Sequence, residues 1–339
     1  MIRKHRRFIV RRIELLTLHL RAVSRSFYTT LRILPASIRP QISLAYLLAR
    51  TTDTIADTQL VPTEQRLKSL QLLRERIQGA HATPLDFGEL ARHQGSAAER
   101  LLLEKCEARL RLLESFPPGD IQLIRQVLGI IVSGQELDLG RFALASRETV
   151  VALQNDAELD DYTYRVAGCV GEFWTRLCRA HLFPRAALDD AWLLTQGVRF
   201  GKGLQMVNIL RDLPADLRQG RCYLPAERLG AHGLQPKDLL NAENEPPLRP
   251  LYDRYLNLAD EHLQAGWSYT NALPWTSFRA RLACAWPILI GVETTRLLRT
   301  GNVLDAEKRL KISRGQVKRL MCRSVLLYPW PKAWNGMVA

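Results

Sequence analysis

The chain has 339 residues, 47% of them hydrophobic, with a formal net charge of +14 and a pI of about 9.9. That apolar share supports a sizeable core and excludes a disordered chain, and the length fits one large helical domain or two smaller ones. The positive balance suits an anionic partner: a nucleic acid, an anionic membrane face or a phosphorylated substrate. The first predicted element, "MIRKHRRFIVRRIELLTLHLRAV", is basic with an apolar stripe, so residues 1–20 read either as a peripheral contact with an anionic membrane or as a solvated first helix or frayed end. Its apolar run is cut by Arg11 and Arg12, which argues against a secretory signal.

A helix is predicted over 41–58. It places Tyr46, Arg50, Asp53 and Asp57 at i, i+4, i+7 and i+11, one polar stripe among Ile42, Leu44, Leu47 and Leu48. Carboxylates one turn apart can share Mg²⁺, which also binds phosphate oxygens, and the arginine before them can hold a phosphate directly. Alone, this stripe equally describes a surface helix with a weak Arg50–aspartate ion pair.

Apolar residues at i, i+3 and i+4 predict a helix over 99–114, ended by "FPPGD", after which "DIQLIRQVLGIIVSGQEL" begins another. The segment 204–225, "LQMVNILRDLPADLRQGRCYLP", carries Gln205, Asn208, Asp212 and Asp216 at i, i+3, i+7 and i+11, with Arg211 beside them. Two such helices facing across a cavity would hold metal ions against a diphosphate, as helix bundles build metal sites. Pro214 predicts an end or kink of this helix between its two aspartates.

"GKGLQM" (201–206) begins like a dinucleotide fingerprint but lacks the third glycine and a preceding strand, so Gly201 and Gly203 are read as close helix packing. Residues 230–250, rich in Pro, Gly and Asn, read as an excursion, with helical patterning resuming at Leu251. "LACAWPILIGV" is too short for the roughly 20 residues of a membrane span. Six cysteines form no C-x-x-C pair, which argues against a zinc site and for reduced thiols in a cytosolic setting. The seven histidines fall outside these motifs and are read as structural or surface residues. The pattern as a whole predicts about ten helices in one all-α domain spanning 1–339.

Four blocks in order, "SRSFYTTLRILP" (24–35), "AYLLARTTDTIAD" (45–57), "YTYRVAGCVG" (162–171) and the 204–225 segment, resemble the squalene/phytoene synthase family of head-to-head prenyl synthases. The resemblance covers roughly residues 20–325. It implies an isoprenoid synthase-type helical bundle around a central cavity. It also implies Mg²⁺ at Asp53 and Asp57 and at Asp212 and Asp216. By the same resemblance Tyr46, Arg50, Gln205, Asn208 and Arg211 line the diphosphate end, Ser24, Arg25, Ser26 and Phe27 form a flap, and Tyr162 takes part in the proton and cation chemistry. Arg25, Arg50 and Arg211 would add charge beside the diphosphate.

Within the family, "LKISRGQVKRLM" (310–321) is similar to the segment with which squalene synthases contact NADPH, with Lys311 at a basic position, Arg314 adjacent, and Ser313 where a basic residue is expected. "CAWP" (284–287) is similar to a stretch of the same branch. The resemblance therefore implies that two farnesyl diphosphates are joined through presqualene diphosphate and reduced by NADPH to squalene. The alternative is a phytoene, diapophytoene or hydroxysqualene synthase without the reduction. The implied partners are a prenyl diphosphate and the cytoplasmic, inner face of a membrane; no nucleic-acid motif is present, and the oligomeric state stays open.

Overall fold

In the computed structural model of the protein, the described residues are 20, 30–58, 60–307 and 310–338. The flap candidates Ser24, Arg25, Ser26 and Phe27 lie outside them, as does the basic segment 1–20 apart from Leu20. The described chain is all-α, with a single two-residue parallel strand pair among its described residues. It groups into two compact units, Met1–Gly140 with Arg176–Pro184, and Arg141–Thr175 with Arg185–Ala339.

The first unit is built on α1 (Arg39–Asp57), α2 (Thr63–Gln78), α3 (Gly88–Arg92), α4 (Ala97–Glu104), α5 (Cys106–Leu113) and α6 (Pro118–Arg141, of which Arg141 groups with the second unit). The helix expected over 99–114 is two helices, α4 and α5, separated at Lys105. α1 packs on α2, α4 and α5. Its Leu44, Leu47, Leu48 and Ile55 are fully buried, each contributing about 1.5–3 kcal/mol relative to exposure.

The same helix buries Thr51, Thr52, Thr54 and Thr58, which is costly unless their hydroxyls are satisfied. Each donates back along the chain: to Leu47 O (2.8 Å), Ala49 O (2.7 Å), Arg50 O (2.8 Å) and Thr54 O (2.6 Å). A second buried polar cluster ties α1 to α6. Gln41 Nε2 donates to Asp120 Oδ2 (2.9 Å), and His181 Nε2 lies 2.7 Å from Asp120 Oδ1.

The second unit contains β1 (Val151–Ala152), α7 (Asp156–Thr163), a π-helical turn (Tyr164–Gly168), the first residues of α8 (Cys169–His181), α9 (Asp190–Leu217) and β2 (Arg221–Cys222). It continues through α10 (Ala226–Ala231), α11 (Glu245–Ala272), α12 (Phe278–Thr300), α13 (Arg314–Leu327) and α14 (Pro331–Asn335). After two short 3₁₀ turns (Pro236–Leu240 and Ala242–Asn244), α-helical structure returns at Glu245, six residues before the point expected, because a helix tolerates proline in its first turn.

α9 is the axis of this unit and packs on the π-helical turn, α11 and α12. Gly201 permits the first contact, since a Cβ there would fall 2.0 Å from Ala167 O; on the opposite side a Cβ on Gly203 would fall 2.9 Å from His262 Cβ. The close-packing reading of these glycines holds.

Pro214 does not end α9, which continues to Leu217. Proline has no N–H, so the carbonyl four residues earlier, that of Leu210, loses its helical donor. The Tyr252 hydroxyl of α11, fully buried, donates to Leu210 O at 2.8 Å. The tertiary hydrogen bond replaces the missing helical one, and Asp216 stays on the helix with Asp212.

Candidate functional site

The polar stripe of α1 is present as expected. Between Gln41 and Asp57 only positions 46, 49, 50, 53 and 57 escape burial. Arg50 Nη1 donates to Asp53 Oδ2 at 3.1 Å, and its other terminal nitrogen lies 4.0 Å from Glu99. Gln135 on α6 donates to Asp53 Oδ1 at 2.5 Å. Burial raises the Asp53 carboxyl above its ordinary range, Arg50 opposes this, and the charge of Asp57 adds to it. Asp57 stands exposed at the last position of the helix.

The second stripe lies on α9. Gln205, Asn208, Asp212 and Asp216 face away from Met206, Val207, Ile209, Leu210 and Leu213, which are buried. Arg211 grips Asp212 with two nitrogens, Nε at 3.1 Å and Nη2 closer. Asn208 Nδ2 donates to Gln205 Oε1, and Gln205 Nε2 to the Tyr162 hydroxyl, each at 3.4 Å. Asp216 is pushed up to about 7, first by burial and then by the charge of Asp212, with Arg221 and Arg211 opposing.

Arg221 reaches this neighbourhood because the chain reverses at Gly220. The glycine has φ +77°, and a Cβ there would strike Ser146 O at 2.2 Å. β2 then pairs Arg221 with Val151.

Tyr162, buried on α7 just before the π-helical turn, stacks on Tyr223 with centroids 4.5 Å apart, and Phe142 meets Tyr223 edge-on at 5.4 Å. Interrupted helical turns of this kind often accompany functional sites. Lys311 and Arg314 are exposed at the start of α13. Ser313, where the resemblance expects a base, serves as N-cap: its hydroxyl accepts from Gln316 N (3.2 Å), and Gln316 Oε1 accepts from Ser313 N (2.8 Å).

Sequence reading missed Gln135, Tyr223 and Tyr252. Gln135 sits in "SGQELDLG", where an amide among acids was a signal; Tyr252 carried none, because its role depends on a proline 38 positions away.

Each stripe offers two carboxylates that disfavour each other's charge. This donor set fits a hard divalent cation that keeps waters and takes its remaining ligands from phosphate. Among the described residues no three carboxylate, imidazole or thiol side chains form a cluster able to hold a metal alone.

A model described as squalene/phytoene synthase matches residues 20–316. The chain belongs to the squalene/phytoene synthase family. Members of this family are prenyltransferases. The chain is 27% identical to the bifunctional lycopene cyclase/phytoene synthase of Colletotrichum graminicola over 83% of its own length and 44% of that protein. It is 28% identical to a squalene synthase of Saccharomyces cerevisiae, over 67% and 48% of the two chains. Against the presqualene diphosphate synthase of Rhodopseudomonas palustris identity is 30%, over 69% and 72%. The chain therefore spans about half the length of the first two relatives and most of the third. A solved structure of TcSQS with the ligand E5700 superimposes with a TM-score of 0.77, at 22% identity, covering 96% of this chain and 89% of that one; this establishes the all-α isoprenoid synthase-type fold.

Proposed function

We propose that the protein joins two farnesyl diphosphates head to head through presqualene diphosphate and, with NADPH, reduces this to squalene. The observation that carries the condensation is the pair of D-x-x-x-D stripes, each with an arginine on its own helix turn, in a chain of this family. Asp53, Asp57, Asp212 and Asp216 would hold Mg²⁺, which when bound would neutralise the charge of the departing diphosphate. Arg50 and Arg211 are held beside Asp53 and Asp212, and on metal binding their guanidinium groups would turn from the carboxylates to phosphate oxygens. Tyr46, Gln205 and Asn208 would orient the diphosphate from the same stripes, with Arg25 and the Ser24–Phe27 segment as the flap.

Ionisation leaves an allylic cation that must be kept from water. The stacked Tyr162 and Tyr223 rings would offer π faces to such a cation, and the Tyr162 hydroxyl, which accepts from Gln205 at 3.4 Å, would accept or return a proton. Lys311 and Arg314 would meet the phosphates of NADPH, which would supply the hydride. The similarity of "LKISRGQVKRLM" to the reducing branch supports this last step.

A second reading ends without reduction, at presqualene diphosphate, hydroxysqualene or a phytoene-type triene. It is favoured by the match to the R. palustris presqualene diphosphate synthase and by the phytoene synthase relative. Purified protein incubated with farnesyl diphosphate and Mg²⁺, with and without NADPH, tests both. Squalene formed only with NADPH is the expected product. A conjugated C30 triene formed without NADPH would replace the squalene reading by the second, and no coupled product would remove both.

A further inference from the structure

Eleven large hydrophobic side chains are exposed among the described residues, and five of them, Trp275, Phe278, Val325, Leu326 and Trp330, belong to the α12–α14 region. Trp330 is 61% exposed and Leu326 68%. They stand around one hub. Trp275 stacks on Tyr328 at 4.3 Å, Phe278 meets the same ring edge-on at 6.0 Å, and Tyr328 meets Trp334 at 5.0 Å. Val325 and Leu326 precede Tyr328 by less than a turn, and Trp330 follows it by two residues.

The hub is rigid. The Arg281 guanidinium lies 4.6 Å from the Trp275 ring centre and 5.7 Å from those of Tyr328 and Trp334. It donates to Leu273 O (2.9 Å) and Asn271 Oδ1 (2.7 Å), and Asn271 Oδ1 also accepts from Trp334 Nε1 (2.8 Å). The outer rings are therefore held in water by a fixed scaffold, at the usual cost of exposing contiguous apolar surface.

The segments that carry the patch bear charge of one sign. Residues 310–339 contain six lysines and arginines and no aspartate or glutamate, and residues 262–292 also contain no acid. Arg279, Lys318, Arg319, Arg323 and Lys332 are exposed beside the apolar side chains. Tryptophan is the residue that best tolerates the boundary between headgroups and acyl chains, and a basic surface with apolar side chains is the composition that seats on anionic bilayers.

We propose that α13, α14 and the Trp275–Phe278 turn form a docking face for an anionic lipid surface. Trp330, Leu326, Val325, Trp275 and Phe278 enter the interface, and the surrounding lysines and arginines meet the headgroup phosphates. The face is distinct from the basic segment 1–20. No described helix is long and apolar enough to cross a membrane, and the face proposed here attaches laterally. The inference stands on surface chemistry alone and does not depend on which product the protein makes.

The test uses the full chain and co-sedimentation with vesicles of phosphatidylcholine, with and without phosphatidylglycerol. Binding is expected on the anionic vesicles, weakening as salt rises. Trp330→Ser with Leu326→Ser is expected to lower partitioning at least tenfold. Arg279→Gln with Arg323→Gln and Lys332→Gln is expected to remove most of the salt dependence. These side chains are exposed, and an unchanged melting temperature confirms that the variants are folded. Should the tryptophan variant fail to fold, the charge variant and the salt series decide. The proposal is overturned if the parent ignores anionic vesicles, or if both variants bind like the parent. It also falls if removal of residues 1–20 alone abolishes binding, or if the patch proves to mediate a dimer that the Trp330 variant loses. Product formation in detergent, unaffected by either variant, separates failure of docking from failure of the chemistry.

Discussion

Asp216 is held at an electrostatic disadvantage that a proton or a bound cation relieves. Its carboxyl is pushed up to about 7, by burial and by Asp212, against a reference value of 3.8. The folded chain thus keeps a proton between roughly pH 4 and 7 that the unfolded chain has lost, so this group's contribution to stability is lost as pH rises through that window. Above pH 7 the metal-free protein carries the full penalty of a charged Asp216. Asp216→Asn is therefore expected to raise the melting temperature of the metal-free protein at pH 8 by about 1–2 °C for each kcal/mol relieved, with no gain near pH 4. Mg²⁺ should narrow the difference at pH 8, because it stabilises the charged parent alone. Thermal melts of parent and variant at both pH values, with and without Mg²⁺, check this; an identical offset at pH 4 and pH 8 would sink it. The aspartate itself was legible in the sequence, from its spacing to Gln205, Asn208 and Asp212. Its protonation was not, because that comes first from burial, which only the folded packing sets, and is opposed by Arg221, which arrives by a glycine turn and a two-residue strand pairing.

On the scale of an element, α9 shows how a local rule is overridden. A proline between the two aspartates predicts a break, and the helix continues because Tyr252 supplies the hydrogen that Pro214 lacks. Removing the hydroxyl leaves Leu210 O buried without a donor, a cost of about 1–3 kcal/mol. Tyr252→Phe is expected to destabilise the parent by that amount and to raise the Mg²⁺ concentration needed for half-maximal turnover, as Asp216 loses its fixed position. With Pro214→Ala the restored amide donates to Leu210 O, and the same tyrosine substitution should cost little. The coupling between the two positions, read by denaturant unfolding of the four chains, should then exceed about 0.5 kcal/mol; equal costs in both backgrounds would defeat the explanation. Where a helix's fate is set by its own periodicity, as in α1, the sequence reading holds to within a few residues. Where it depends on a side chain from another helix, as in α9, no local signal exists. The split of 99–114 at Lys105 belongs to the same class: both halves keep the apolar period, so nothing in the pattern marks the break.

For the molecule as a whole, the question is whether its two aspartate pairs serve one chemical step. Each compact unit carries one pair, each pair has its own arginine, and in each pair one carboxyl is raised by burial with its neighbour's charge adding to it. That symmetry was visible in the sequence as two D-x-x-x-D stripes, and it is what makes the condensation the best-supported function for a chain of this family. Groups that act as a unit in one transition state show strongly non-additive losses, because the first removal already forfeits most of what the set provides. Asp53→Asn and Asp212→Asn are each expected to lower kcat/KM for farnesyl diphosphate by about 10²-fold or more, the scale of losing one preorganised electrostatic contribution. The double variant should then be scarcely worse than the poorer single one. Independent pairs would instead multiply their losses, to about 10⁴-fold by the same reckoning. Both substitutions keep shape while removing the charge and turning one acceptor oxygen into an amide donor, so circular dichroism and melting at pH 8 should show that all three variants stay folded. A multiplicative loss in the double variant would mean that the pairs act at separate steps, for instance one at the first ionisation and the other at the second.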